Sequence, residues 1–361
     1  MNKFSPASEI SINSKKIGNG KPVYFIAEIG SNFDQDIERA KDLIYLAKEA
    51  GADAAKFQHY TADSLVSDFG FKKMSGKKSH QSLWKKSVYQ TYKDASINQD
   101  WTAVLEKTCK DVGLDFFTSP YSAELVDLVD PFVPAFKVGS GDITWPEIIE
   151  KMASKGKPII LATGASDMKD VVRAANTILN ITSEIIILQC NTNYTAERKN
   201  FSHLQLNVIT KFREMFPGLI TGLSDHTLGH VSVLGAVALG AKVIEKHFTD
   251  STKRVGPDHS FSMIPATWYE MVQRTRELED ALGDGQKRVE ENELETIIVQ
   301  RRSICSNKNL KSGHKISKDD LIALRPCPKD CIEPFEMNNL IGRILKNNIE
   351  KGDNLKWNDL V

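Results

Sequence analysis

A (β/α)8 TIM barrel followed by a small β-rich domain is the α/β fold that this sequence predicts, and three observations predict it. Eight short apolar runs rich in Val, Ile and Phe recur in the first 250 residues, amphipathic stretches of helical period separate them, and every run ends in polar residues. The runs are residues 23–27, 52–57, 114–118, 135–138, 158–162, 185–188, 219–223 and 242–246. Runs apolar throughout suit strands covered on both faces, and the long connections suit parallel strands joined by helices. An open dinucleotide-binding sheet would carry a glycine-rich loop after its first strand; none follows residues 23–27, so a closed barrel is the expected architecture.

Barrels place their chemistry at the carboxyl ends of their strands. Those ends carry, in order, Glu28, Lys56 with Gln58, Ser119, Lys137 with Ser140 and Asp142, Thr163, Gln189 with Asn191 and Tyr194, Ser224 with His226, and Glu245 with His247. One Lys or Glu at a strand end is ordinarily a solvated rim residue. Eight coincident polar ends read instead as a catalytic mouth. After a last barrel helix over 266–282, Gly283-Asp284-Gly285-Gln286 and a charged stretch to Glu295 mark a boundary, beyond which short strands and turns replace the long repeats. The expected division is a catalytic barrel over 1–283, a linker over 284–298 and a compact domain over 299–361.

The chain has 361 residues, 41% apolar content and 47 acidic against 47 basic side chains, so it can bury a large core and carries no net charge to suggest a nucleic-acid or membrane surface. No run of 18 apolar residues occurs and the start is polar without a signal core. Five cysteines (Cys109, Cys190, Cys305, Cys327, Cys331) scattered over a chain of this size suit reduced thiols in the cytoplasm. Cys327 and Cys331 lack a second ligand pair, so structural zinc is not expected.

His226 and His247 lie 21 positions apart, one barrel repeat, in Ser224-Asp225-His226-Thr227 and Glu245-Lys246-His247-Phe248. Two imidazoles on adjacent strands can share a divalent ion while leaving positions open for substrate or water, as catalytic ions require. Taken singly, each histidine would read as a hydrogen-bonded core residue; on one rim beside acids the metal reading is favoured. Lys56 and Lys137 end buried-looking strands, and with Ser119, Ser140, Thr163 and Ser224 they form a donor-rich set suited to a phosphate or carboxylate. The same lysines can pair with Glu28 or Glu245 without losing that role. His59, His80, His203, His230 and His314 are expected at the surface, whereas His259, beside Asp258, can line the site. The basic, Trp84-bearing insert between Lys72 and Lys86 is expected as a solvated loop over the mouth.

Ala27-Glu28-Ile29-Gly30, Lys56-Phe57-Gln58, Lys137-Val138-Gly139-Ser140-Gly141, Ser224-Asp225-His226-Thr227, Glu245-Lys246-His247-Phe248-Thr249 and Gly256-Pro257-Asp258-His259 together resemble the sialic acid (nonulosonic acid) synthases. The likeness covers nearly the whole chain: residues from about Val299 to the end, with Arg301-Arg302-Ser303 and Leu324-Arg325-Pro326, are similar to that family's antifreeze-like (SAF) domain.

The resemblance implies condensation of phosphoenolpyruvate with an N-acylated hexose and water to a nine-carbon 2-keto acid and phosphate, with a divalent ion (Mn2+, Mg2+ or Co2+) on His226 and His247. It implies that Lys56, Ser119, Lys137, Ser140, Thr163 and Ser224 bind phosphoenolpyruvate. Glu28 and Asp258 would act on sugar and water near the ion, Glu245 would support the metal side, and Asp142 and Tyr194 would line the sugar site. Arg325 would reach the sugar from the partner in a domain-swapped homodimer.

Three departures from the family pattern bear on the sugar. Asp142 replaces a glutamate that contacts it, Ala162 replaces a serine, and the asparagine around Cys190-Asn191-Thr192-Asn193-Tyr194 is shifted. A modified hexose, such as a precursor of legionaminic acid, is therefore expected as an alternative to N-acetylmannosamine. Cys327 stands where a glycine usually follows the arginine-proline pair, which weakens the expected reach of Arg325. The competing readings are a phosphoenolpyruvate-dependent synthase acting on a sugar phosphate, and a non-catalytic sugar-binding relative.

Overall fold

The computed structural model describes residues 2–74, 81 and 84–361. The middle of the Lys72 to Lys86 insert, including His80, therefore lies outside the described residues. The chain divides into two compact units, Met1–Gly283 and Asp284–Val361.

In the first unit, a hairpin of β1 (Glu9–Ile12) and β2 (Lys15–Gly18) precedes eight parallel strands: β3 (Tyr24–Gly30), β4 (Ala54–His59), β5 (Asp115–Pro120), β6 (Phe136–Val138), β7 (Ile159–Ala162), β8 (Ile185–Cys190), β9 (Ile220–Asp225) and β10 (Val243–His247). Their order, β5-β4-β3-β10-β9-β8-β7-β6, leaves β5 and β6 as ends that lie beside each other, so the sheet closes into a barrel. All eight expected runs are strands. Several extend further than expected, because the polar residues Glu28, Gln58 and Ser119 at their ends stay in the ladders.

Alternation along each strand separates two environments. Phe25, Ala27, Ala55, Phe57, Phe136 and Ile244 pack outward with the helices, while Tyr24, Ile26, Ala54, Phe117, Ile160, Ile186, Ile220 and Val243 form a second apolar cluster. Ile10, Ile12 and Ile17 of the hairpin join that second cluster, and Lys15 Nζ donates to the Asp53 carbonyl at 2.7 Å, so the hairpin covers the amino-terminal side of the strands. The polar composition of the first 16 residues hid this hairpin from sequence reasoning, which noted only a polar start without a signal core. Gly222 sits where a Cβ would come within 2.2 Å of the Val243 carbonyl and 2.5 Å of Leu188, so no side chain fits.

The second unit has an antiparallel pair, β11 (Ser303–Ser306) with β12 (Leu321–Leu324), and a core of Ile304, Leu310, Ile316, Ile332, Leu340, Leu345, Leu355 and neighbours. A short helix, Leu294–Gln300, spans the end of the stretch expected as linker. No helix among the described residues is long and apolar enough to cross a membrane.

Candidate active site

Register brings the polar strand ends into rows. On one row, His247 of β10 faces Glu28 of β3, which faces Lys56 of β4; Glu245 faces Ser224 on β9, and Gln58 faces Ser119 on β5. Continuing the alternation two residues past Tyr24 and Ile26 turns Glu28 into the lumen, and the same step does so for Lys56, Lys137 and Glu245.

These four form a buried array of alternating charge. Lys56 donates to Glu28 and lies 3.7 Å from Glu245, and Lys137 lies 3.4 Å from the other Glu245 oxygen. Ser224 donates to Glu245 at 2.9 Å, and Gln58 donates to Glu28 at 2.9 Å. Burial raises the Glu28 carboxyl, with repulsion from Glu245 added and Lys56 opposing, to about 7. Glu245 is held down to about 2: burial works against ionisation, but Lys137, Lys56 and the Ser224 hydroxyl outweigh it. Burial also works against the Lys56 charge, and Glu245 and Glu28 more than restore it. The lumen thus keeps a cationic Lys56 beside one carboxylate and one carboxyl poised to exchange a proton near neutrality.

Ser119 Oγ is buried without a hydrogen-bond partner, so its hydroxyl is free for a ligand. Ser140 Oγ accepts from the Gly164 amide at 3.0 Å and also hydrogen-bonds the Cys190 thiol. Thr163 differs, because its hydroxyl donates to the Leu188 carbonyl at 2.9 Å and its one proton is committed there.

The rings of His226 and His247 are 5.4 Å apart, and Tyr194 packs edge-on against His226 at 4.5 Å. His226 Nδ1 is 3.1 Å from the Asn191 carbonyl, which orients the ring. His247 Nδ1 is buried with no hydrogen-bond partner and lies 3.9 Å from Asp258. Burial, reinforced by repulsion from His226, holds His247 far below the usual imidazole range, whereas at His226 burial is outweighed by Cys190 and Asp225 and the ring is held above it. Among the described residues, no group of three or more His, Cys, Asp or Glu side chains converges as a complete cage, so an ion on these two histidines needs substrate or water to finish its shell. An orphaned neutral imidazole beside a second one fits such an open site.

Gly30, at φ +55°, makes the approach of Asp258 possible: a Cβ there would sit 2.7 Å from the Asp258 carboxylate and 3.2 Å from that of Glu28. The Ser31 amide donates to Asp258 at 3.2 Å, while burial raises the Asp258 carboxyl. His259 does not line the site. It is fully buried, bonded to Thr249 and Asp34 at 2.8 Å each, and so anchors the loop that presents Asp258. His59, expected at the surface, is also fully buried between Thr118 and Thr102, and burial lowers its pKa to about 4.

Beside His247 and Asp258 opens a cleft of about 370 Å3 that includes Gln58, Asp142, Thr192 and Tyr194. Its other wall is aromatic: Tyr60 meets Tyr92 and Tyr121 edge-on at 5.6 and 6.1 Å, and Tyr92 meets Trp84 at 5.8 Å. Burial lifts Asp142 to about 6, with Lys137 opposing. Sequence reasoning put Gln58 at the mouth without a role and the Trp84 insert over it, but missed Tyr60, Tyr92 and Tyr121, since tyrosines in helices and loops carry no strand-end signal. Arg325 is exposed in the second unit.

The NeuB family model matches residues 43–287 and the SAF domain model matches residues 301–361. The chain is 35% identical to the N,N'-diacetyllegionaminic acid synthase of Legionella pneumophila, over 95% of this chain and 96% of that one. It is 30% identical to human N-acetylneuraminate-9-phosphate synthase, over 94% and 93%. Among solved structures, an N-acetylneuraminic acid synthetase from Leptospira borgpetersenii in complex with citrate superposes with a TM-score of 0.70 at 26% identity, over 81% of this chain and 96% of that one. With most of its barrel and its tail matched, the chain belongs to the NeuB family and is a carbon-carbon bond-forming, phosphoenolpyruvate-dependent synthase.

Proposed function

We propose that the protein condenses phosphoenolpyruvate with a free N-acylated hexose, a diacetamido hexose in preference to N-acetylmannosamine, and water, giving a nine-carbon 2-keto acid and phosphate. The observation that carries this reading is the lumen array of Lys56 and Lys137 around Glu245, lying below the His226–His247 pair. Lys56, Lys137 and Ser119 supply donors for the phosphate and carboxylate of phosphoenolpyruvate, with Ser140 beside them, Ser224 spends its proton on Glu245 and so braces the array, and Tyr194 and Asp142 contact the sugar. A divalent ion (Mn2+, Mg2+ or Co2+) bound by His226 and His247 supplies Lewis-acid polarisation of a carbonyl oxygen.

C3 of phosphoenolpyruvate bonds to the aldehyde carbon as water adds at C2, with Asp258 orienting the water. Glu28 accepts one proton of that water and passes it to the former aldehyde oxygen. The bond between C2 and the bridging phosphate oxygen then breaks, its electron pair leaves with phosphate, the proton of the C2 hydroxyl goes to the departing phosphate, and C2 becomes a ketone.

A free rather than phosphorylated acceptor is favoured because no Arg or Lys is among the described residues that line the cleft. The preference for a diacetamido sugar rests on Asp142, one carbon shorter than the usual glutamate, and on the likeness to the Legionella synthase. Arg325 completes the sugar site from the partner of a homodimer, and the free thiols suit work in the cytoplasm. Incubation with phosphoenolpyruvate and a panel of free and phosphorylated sugars, read by product mass, tests this. A nine-carbon keto acid from the free diacetamido hexose is expected, and turnover of phosphorylated sugars alone would overturn it.

A further inference from the structure

The β9–β10 ladder ends at the pair Asp225 and Lys246. His226 and His247 follow one residue beyond it, so no ladder joins the two histidines to each other, although His247 is still paired with Glu28 on its other side. Their spacing must be set by something else.

Alternation turns Asp225 and Lys246 away from the lumen, where their side chains are 0% and 2% exposed. Lys246 Nζ lies 2.5 Å from Asp225 Oδ2 and donates to the Thr227 carbonyl at 2.6 Å. Asp225 and Thr227 flank His226, so one ammonium from the strand that bears His247 grips the chain on both sides of His226. The grip is stiffened locally: Asp225 accepts from the Thr227 amide at 2.9 Å, from its hydroxyl at 2.8 Å, and from the Ser232 hydroxyl. A buried ion pair adds little net stability over apolar residues of the same shape. Position, rather than stability, accounts for this one.

We propose that Lys246, through Asp225 and Thr227, is the positioning residue that sets the separation of His226 from His247 and so the width of the divalent-ion site. The proposal rests on the two-histidine reading above.

Lys246→Met alone strands the Asp225 charge and can unfold the protein, so the decisive variant is the double Asp225→Asn, Lys246→Met, which removes both charges and keeps the shape. In the full-length, metal-stripped protein, three readouts are compared with wild type: Co2+ affinity with its visible absorption band, phosphoenolpyruvate affinity without metal, and the His226 ring resonances by 15N-histidine NMR. The double variant is expected to melt within about 5 °C of wild type and to bind phosphoenolpyruvate unchanged. Its Co2+ affinity is expected to fall about 10–100-fold with an altered band, and its His226 resonances to shift.

Wild-type Co2+ affinity with unshifted His226 resonances in a stable double variant overturns the proposal, as does a parallel loss of Co2+ and phosphoenolpyruvate binding. If wild type itself takes up no Co2+ while the double variant still shifts His226, the ion reading fails and the positioning role stands.

Discussion

The lower and upper layers of the barrel lumen come from the same strands by the same alternation, yet they do opposite work. Tyr24, Ile26, Ala54, Ile160, Ile186 and Val243, with the hairpin isoleucines, form a dry cluster whose burial stabilises the fold at roughly 25 cal/mol per Å2. One step along, about 7 Å, Glu28, Lys56, Lys137 and Glu245 form a charged layer whose desolvation costs free energy that only mutual pairing offsets. Residue type at alternate positions, not backbone geometry, separates a stabilising plug from a reactive mouth.

Changes at the mouth should therefore cost rate, and changes at the base should cost only stability. The largest effect is expected from Glu28→Gln, which removes the proposed proton acceptor and should lower kcat about 10²–10⁴-fold. In the wild type, kcat/KM should climb as pH rises through about 7, where the Glu28 carboxyl loses its proton, and that limb should vanish in the variant. A pH-rate profile that keeps the limb removes Glu28 from this role.

Glu245→Ala leaves two buried lysines without their shared carboxylate and should cost about 3–5 kcal/mol in urea denaturation. The folded-state pKa of Glu245, about 2, is depressed below the ordinary 4.5, so its stabilising contribution is present above 4.5 and is lost as pH falls through about 2. The wild type should show that acid loss and the variant should lack it; matching pH dependence in both would contradict the pairing.

Asp142→Glu should leave stability alone and shift the kcat/KM ratio of N-acetylmannosamine over the diacetamido hexose about tenfold. An unchanged ratio would detach Asp142 from sugar choice. At the base, Ile12→Val should cost about 1 kcal/mol in denaturation with kcat untouched. A slower enzyme with unaltered stability would erase the distinction between the two layers.

Legibility in the sequence followed the same division. The eight strands stood out because both their faces are covered, so each reads as an unbroken apolar run, and the polar residue closing each run marked the mouth. The hairpin did not stand out: Ile10, Ile12 and Ile17 alternate with Glu9, Ser11 and Lys16 over only four residues per strand, too short to rise above a polar background. His59 was misplaced because its two threonine partners, Thr102 and Thr118, are 43 and 59 positions away and no local pattern announces them. His259 was placed near the site by proximity to Asp258, but its ring turns away to Asp34. The grip of Lys246 on both sides of His226 was illegible for a related reason, since which outward-facing residues pair across strands depends on register that a single sequence does not display.

The most direct test of a metal-dependent mouth is phosphate release from phosphoenolpyruvate and the diacetamido hexose, measured for wild type and His247→Ala, after chelation and again after Mn2+ is restored. Wild type should fall silent on chelation and recover with Mn2+, while the folded His247→Ala protein stays silent in both. Equal turnover by both proteins, indifferent to chelation, would contradict the account.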